Sequence, residues 1–323
     1  MHEYTLDRYQ TRTDLALEER ERFEDDNVEI SGVELDEEYN DETDIKVTKV
    51  NITTEKGAKA MAKPKGIYIT IEAPNMSVPD EDYHREISCE LAKQLKSLMT
   101  KEDKEQSILV VGLGNSQITP DSLGPKVVDN LLITRHIVNE YGKVALGREK
   151  IHKISGIVPG VMAQTGMEAS EIVRGVVAET KPDMVVAIDA LAARNTKRLN
   201  RTIQIANTGI HPGSGVGNHR NGLTQRSLGV PVIAIGIPTV VECITIINDT
   251  IENLIQAMEE SEQLKSMGNT LKMFNATEKH ELLRELIAPH LNGMFVTPKD
   301  MDETVKMLGF TVSEALNMAF TAE

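Results

Sequence analysis

Ser107-Ile-Leu-Val-Val-Gly-Leu-Gly-Asn115 decides the fold. Its unbroken apolar run, closed by glycines, is the pattern of a strand buried on both faces of a parallel sheet. Working outward, apolar strand patterns recur at residues 151–157, 184–188, 202–206 and 230–237, and helical patterns at 125–141, 166–180 and 239–260. Strand and helix therefore alternate from 107 to about 260. Alternation of this kind predicts an α/β fold with a mostly parallel central sheet flanked by helices. Pro125 suits the first turn of its helix, where a missing N–H costs nothing.

Before this core, residues 45–52 and 66–72 alternate apolar with polar, the pattern of a peripheral pair of half-buried strands. Residues 82–99 read as a helix with Ile87, Leu91, Leu95 and Leu98 on one stripe. Beyond about 275, two helical patterns flank Met294-Phe-Val-Thr-Pro298. The first 43 residues are acidic and aperiodic, and are expected to be loose or docked only by contacts elsewhere.

The chain has 323 residues and a net charge of -15. Residues 1–60 hold 18 acidic and 8 basic side chains, a net of -10, so most of the imbalance is amino-terminal. Such a chain is a poor ligand for nucleic-acid phosphates, which demand Lys and Arg. Aromatics are only 3% and Trp is absent, which disfavours base-stacking platforms. Cys89 and Cys243 show no ligand-pair spacing and read as buried thiols. No apolar run is long enough for a bilayer, and the amino terminus has no signal-peptide pattern. A reducing, cytoplasmic compartment and no membrane partner are the expectations.

Chemistry is expected where strands end, because ligands of open α/β sheets bind beyond the carboxyl ends of the strands. Two carboxylates stand there. Asp121 follows the 108–111 strand in Thr119-Pro-Asp121, and Asp189 closes Met184-Val-Val-Ala-Ile-Asp189. Together they form a candidate acid/base pair. Simpler duties are open to both: Asp121 can satisfy free donors at a helix start, and Asp189 can pair with Arg194. Gly112-Leu-Gly114-Asn115 lacks the third glycine of a dinucleotide fingerprint, Gln standing at 117, and no phosphate loop is present. No cofactor is expected. His211-Pro-Gly213-Ser-Gly215-Val-Gly-Asn-His219 supplies a glycine-rich loop able to approach a ligand. Gly114, Asn115, Gly213 and Gly215 are candidates for an oxyanion or substrate loop through their backbone N–H groups. An alternative chemistry has Asp121, Asp189 and His211 holding a metal ion. Thr239 reads as the cap of the following helix.

These residues together resemble the spore germination protease of endospore-forming bacteria. The resemblance rests on Val110-Val-Gly-Leu-Gly-Asn115, Thr119-Pro-Asp121, 124–136, Ile157-Val-Pro-Gly-Val-Met162, 187–194 and 209–218, and extends from about Tyr9 to about Thr297. It implies a sheet fold similar to hydrogenase maturation proteases. It also implies an endopeptidase of the spore core that degrades small acid-soluble spore proteins, made as a zymogen and assembled as a homotetramer. The family's proposed catalytic aspartates fall on Asp121 and Asp189. Arg12-Thr-Asp14-Leu15 looks like its processing junction, with cleavage between Asp14 and Leu15. Residues 1–14 are thus expected to be a pro-segment, and 15–323 a single protease domain. A rival of another class is an acidic protein that binds basic proteins without cutting them.

Overall fold

A computed structural model describes residues 15–17, 31–99, 105–147, 151–213, 221–261, 264, 291 and 293–321. The strands are β1 (Val33–Asn40), β2 (Ile45–Ile52), β3 (Gly66–Glu72), β4 (Ser107–Gly112), β5 (Lys153–Ile157), β6 (Met184–Ala193), β7 (Thr202–Ala206), β8 (Val232–Glu242) and β9 (Phe295–Val296). The helices are α1 (Glu55–Ala60), α2 (Glu81–Leu98), α3 (Leu123–Asp129), α4 (Arg135–Tyr141), α5 (Met162–Thr165), α6 (Ala169–Thr180), α7 (Gln225–Leu228), α8 (Cys243–Glu260) and α9 (Met301–Phe320).

All nine strands share one sheet, in the order β1-β2-β3-β7-β8-β6-β4-β5, with β9 added to β8. The helix-flanked α/β sheet is as expected, and its parallel part is confined to β8-β6-β4-β5. The strand at 202–206 instead runs antiparallel to both neighbours and joins the 45–52 and 66–72 pair to the parallel strands.

Residue alternation sorts the core. Ile108, Val110, Val186, Ile188, Ile233 and Ile235 face one layer, shared with Leu91 of α2, Val127 of α3 and Leu308 of α9. Leu109, Val111, Val185, Ala187 and Val232 face the other, against Val173 and Val177 of α6. The stripe on α2 behaves as its spacing dictates: Ile87, Leu91 and Leu95 are buried, and Leu98 packs at the margin. Asp80 caps that helix by accepting the Tyr83 N–H.

Several expectations need correcting. Residues 33–40, placed in the loose acidic arm, form β1: the ladder to β2 holds them although seven of the eight side chains are exposed. Periodicity cannot reveal an edge strand that buries no face. The single helix at 125–141 is two, α3 and α4. The chain leaves the helix at Asn130, and Thr134 bonds to the β5 side through the Ile154 N–H and His152 O. The helix at 166–180 begins at Ala169, after the separate short α5. Cys89 is exposed, at a surface hollow between its helix and β1-β2, and Cys243 is partly exposed, so neither is the buried thiol expected. Of the carboxyl-terminal helical patterns, the later forms α9, and the earlier lies outside the described residues.

Candidate active site

The parallel strands do not all stop at the same level. β4 ends at Gly112, paired with Ile188, while β6 and β8 continue together to Ala193 and Val241. Asp189 is therefore an interior residue of β6, and the strand does not end at it as the sequence suggested. It does stand one step above the end of β4, at the sheet's rim, and is 6% exposed. The Ala190 N–H donates to its Oδ1 at 3.0 Å.

Asp121 arrives from the other side. Gly112 and Gly124 meet backbone to backbone: a Cβ on Gly112 would lie 2.3 Å from the Gly124 carbonyl oxygen. That contact seats α3 directly on β4. Gly114 turns the chain at a φ of +108°, and a Cβ there would lie 2.0 Å from the Asp121 carbonyl oxygen. The loop so formed returns through one helical turn, Thr119–Asp121. Asp121 is not spent capping α3, since its carboxylate accepts the Asn115 N–H at 3.0 Å. That N–H is shared with the Asp121 carbonyl at 2.9 Å. The Asn115 N–H is thereby committed and is not the oxyanion donor expected of it. The Asn115 side chain accepts from the Gln117 N–H and from Gln164 Nε2, joining this loop to α5.

Both aspartates line one cleft of about 460 Å³. Its walls include Gly114 and Ile118 from the β4 loop, Gly160 and Val161 before α5, Leu191 from β6, and Phe295 and Thr297 near β9. Pro212 and Gly213 also reach it, whereas Gly215 lies outside the described residues. His211 does not line this cleft. It lines a neighbouring cavity with Gln204, Leu191 and Gly236, and its ring covers Gly222. Among the described residues no group of three or more His, Cys, Asp or Glu is arranged to hold a metal ion, so the trio Asp121, Asp189 and His211 is not brought together as one. Arg194, the suggested partner of Asp189, acts on Asp249 of α8. Burial pushes that carboxyl above its usual range, while hydrogen bonds from Thr196 and the charges of Arg194 and Lys197 pull it back.

Thr239 is the residue that sequence reasoning misplaced. It belongs to β8, not to a helix cap, and α8 starts only at Cys243. The register slips beside it: Leu191 pairs with Pro238 and Ala192 with Val240, which leaves Thr239 as an extra residue at a bulge. Its hydroxyl donates to the Pro120 carbonyl at 2.7 Å. A bulge has no sequence period, although Pro238 inside an apolar strand was a usable signal.

Asp14 lies outside the described residues, but the residues that follow it are seated. Leu15 and Ala16 are fully buried. Ala16 packs with Val50, Ile52, Tyr68 and Ala206 on the antiparallel strands and with Met61 at the end of α1. Its N–H donates to Gln204 Oε1 at 2.5 Å.

Comparison with known proteins identifies the family. The germination protease family model, Peptidase_A25, matches residues 11–273. A germination protease of Caldanaerobacter subterraneus is 47% identical over 95% of this chain and 93% of its own. One from Clostridium tetani is 47% identical over 95% and 94%, and one from Priestia megaterium 39% over 99% and 96%. Among solved structures, the [NiFe] hydrogenase maturation protease HycI of Thermococcus kodakarensis matches 42% of this chain and 76% of its own at 21% identity. Its TM-score of 0.26 is too slight to argue from.

Proposed function

The chain belongs to the germination protease family, and from that premise we propose that it opens the degradation of small acid-soluble spore proteins with a water molecule activated by Asp121 and Asp189. Membership itself makes it a peptidase of spore germination. The observation that carries the finer reading is the common cleft of the two carboxylates, Asp189 from β6 and Asp121 from the loop that follows β4.

Two carboxylates facing one small volume cannot readily both ionise, so one retains a proton. The ionised member takes a proton from water, and the protonated member gives one to the carbonyl oxygen or the leaving amine. They titrate as a unit. Gly114 and Gly213 line the cleft, and their backbone N–H groups stabilise the tetrahedral oxyanion.

The chain is a zymogen that cuts itself between Asp14 and Leu15 and so sheds residues 1–14. The burial of Leu15–Leu17 supports this reading, because the new terminus is already fixed to the sheet. Acidification is the trigger, since a carboxylate pair answers to pH. The mature enzyme works as a homotetramer in the spore core, without direct contact to nucleic acid.

Asp121→Asn and Asp189→Asn test the mechanism. Each variant should fold and leave a small acid-soluble spore protein intact on a gel. Wild-type turnover in either would end the dyad. Amino-terminal sequencing after acid incubation tests the maturation, with Leu15 expected as the first residue. Met1 retained in fully active enzyme would exclude it.

A further inference from the structure

The mechanism needs Asp121 and Asp189 at a fixed separation, yet they arrive on different supports. Asp189 is built into the sheet, while Asp121 rides a three-residue helical turn on a surface loop. Something must tie that turn to the sheet. We propose that Thr239 is the positioning residue that does so, holding Asp121 in register with Asp189; the proposal rests on the dyad reading above.

The geometry is specific. Parallel pairing sets Gly236 beside Asp189 and Pro238 beside Leu191, so β8 climbs past the catalytic level alongside β6. The bulge then displaces Thr239 from the ladder at the cleft wall, where it is 1% exposed. Its hydroxyl donates to the carbonyl of Pro120, the residue directly before Asp121. The donor is buried and the Pro120 carbonyl half-buried, so an acceptor that loses this bond is only partly repaid by water, and the bond fixes the turn more firmly than a surface contact would.

Thr239 is itself held. Its own carbonyl accepts the Thr297 hydroxyl at 2.9 Å, from the segment that β9 pins to β8. The same turn is gripped a second time, by Thr119 donating to Asp302 Oδ1 at 2.7 Å in the first turn of α9. A hydrogen-bonded line thus runs from Thr297 through Thr239 and Pro120 to Asp121. Thr239 touches neither carboxylate in this line and acts through the Pro120–Asp121 backbone.

The test expresses the full-length chain, matures it by acid incubation until Leu15 is the first residue, and compares three proteins: wild type, Thr239→Val and Thr239→Ser. Valine keeps the shape and removes the donor, and serine keeps the donor and removes a methyl group. Thr239→Val should lose roughly 10- to 100-fold in kcat, since catalysis is steep in the placement of reacting groups, while KM stays near wild type. Thr239→Ser should regain most of that loss. A second readout needs no turnover: the carboxyl carbon resonance of Asp121, at one fixed pH, should move in Thr239→Val and return in Thr239→Ser, while that of Asp183 at the opposite end of the sheet stays still. An unmoved Asp121 resonance, wild-type kcat in Thr239→Val, or a serine variant no better than valine would overturn the proposal. A wild-type chain that cuts nothing would instead remove the proposed function, and the resonance would still decide the role of Thr239.

Discussion

The two halves of the sheet share one hydrogen-bonded ladder and do different work. In β8-β6-β4-β5 every strand runs the same way, so every carboxyl end opens onto one rim and each crossover loop starts there. Asp121, Asp189 and the cleft all belong to that rim. In β1-β2-β3-β7 direction alternates and strand ends scatter to both rims; the carboxylates of Glu38, Asp41 and Glu42 there line a separate surface hollow with Glu86, Glu90 and Lys93 of α2. That half instead offers a face, and Leu15–Leu17 are seated on it. Strand direction, more than strand composition, separates the chemistry from the anchorage.

The sharpest way to break the contrast is to remove chemistry from the parallel rim. Asp121→Asn and Asp189→Asn should each lower kcat by about 10²- to 10⁴-fold, the span of general acid–base catalysis. The double variant should be scarcely worse than either single one, because the residues act as a unit. Independent, multiplying losses in steady-state rates would mean the two carboxylates work separately.

Gly114→Ala strikes the loop, not the acids. The new Cβ would sit 2.0 Å from the Asp121 carbonyl oxygen at a backbone φ of +108°, so the loop must shift. A loss of about 100-fold in activity is expected, with a smaller loss of stability. Near-normal turnover with an unchanged melting curve would show that the loop tolerates movement.

The antiparallel half should respond the other way round. Gln204→Ala leaves the buried Ala16 N–H without its acceptor, which costs about 1–3 kcal/mol. Limited proteolysis should then release residues 15–17 from the sheet, with turnover per folded molecule unchanged. A catalytic defect at full stability would contradict the division of labour.

The smallest expected effect lies at the far end of the parallel half. His152 Nδ1 accepts the Gln106 N–H at 2.9 Å where β4 and β5 begin. Burial depresses this imidazole below the usual histidine range, although the carboxylates of Glu105 and Asp183 pull the other way. As pH falls, the unfolded chain therefore takes up the proton first. The stabilising contribution is complete above about 6.5 and is lost on acidification below it. Thermal midpoints from pH 7.5 to 5 should fall less in His152→Gln than in wild type, and parallel curves would exclude this histidine as the cause.

Much of the fold was legible because burial leaves a period. The runs at 108–111 and 184–188 are apolar at every position, as strands covered on both faces must be, and the stripe of α2 shows as Ile87, Leu91 and Leu95. β1 escaped because an exposed edge strand is held by backbone pairing and surface polar contacts, neither of which leaves an apolar period. The break at Asn130 escaped because the bonds that end α3 and start α4 reach across to β5.

At the site, composition and order along the chain already determined the two aspartates and the glycine loop. A carboxylate beside an apolar strand must find water or a partner, and a glycine turn must sit where chain meets chain. What only the tertiary structure decided is relative placement. The extension of β6 beyond Asp189, the commitment of the Asn115 N–H and the removal of His211 to a neighbouring cavity are each set by residues distant in sequence. The turn of Thr239 toward Pro120 has the same origin. Local chemistry writes which groups are available, and long-range register fixes which of them face one another.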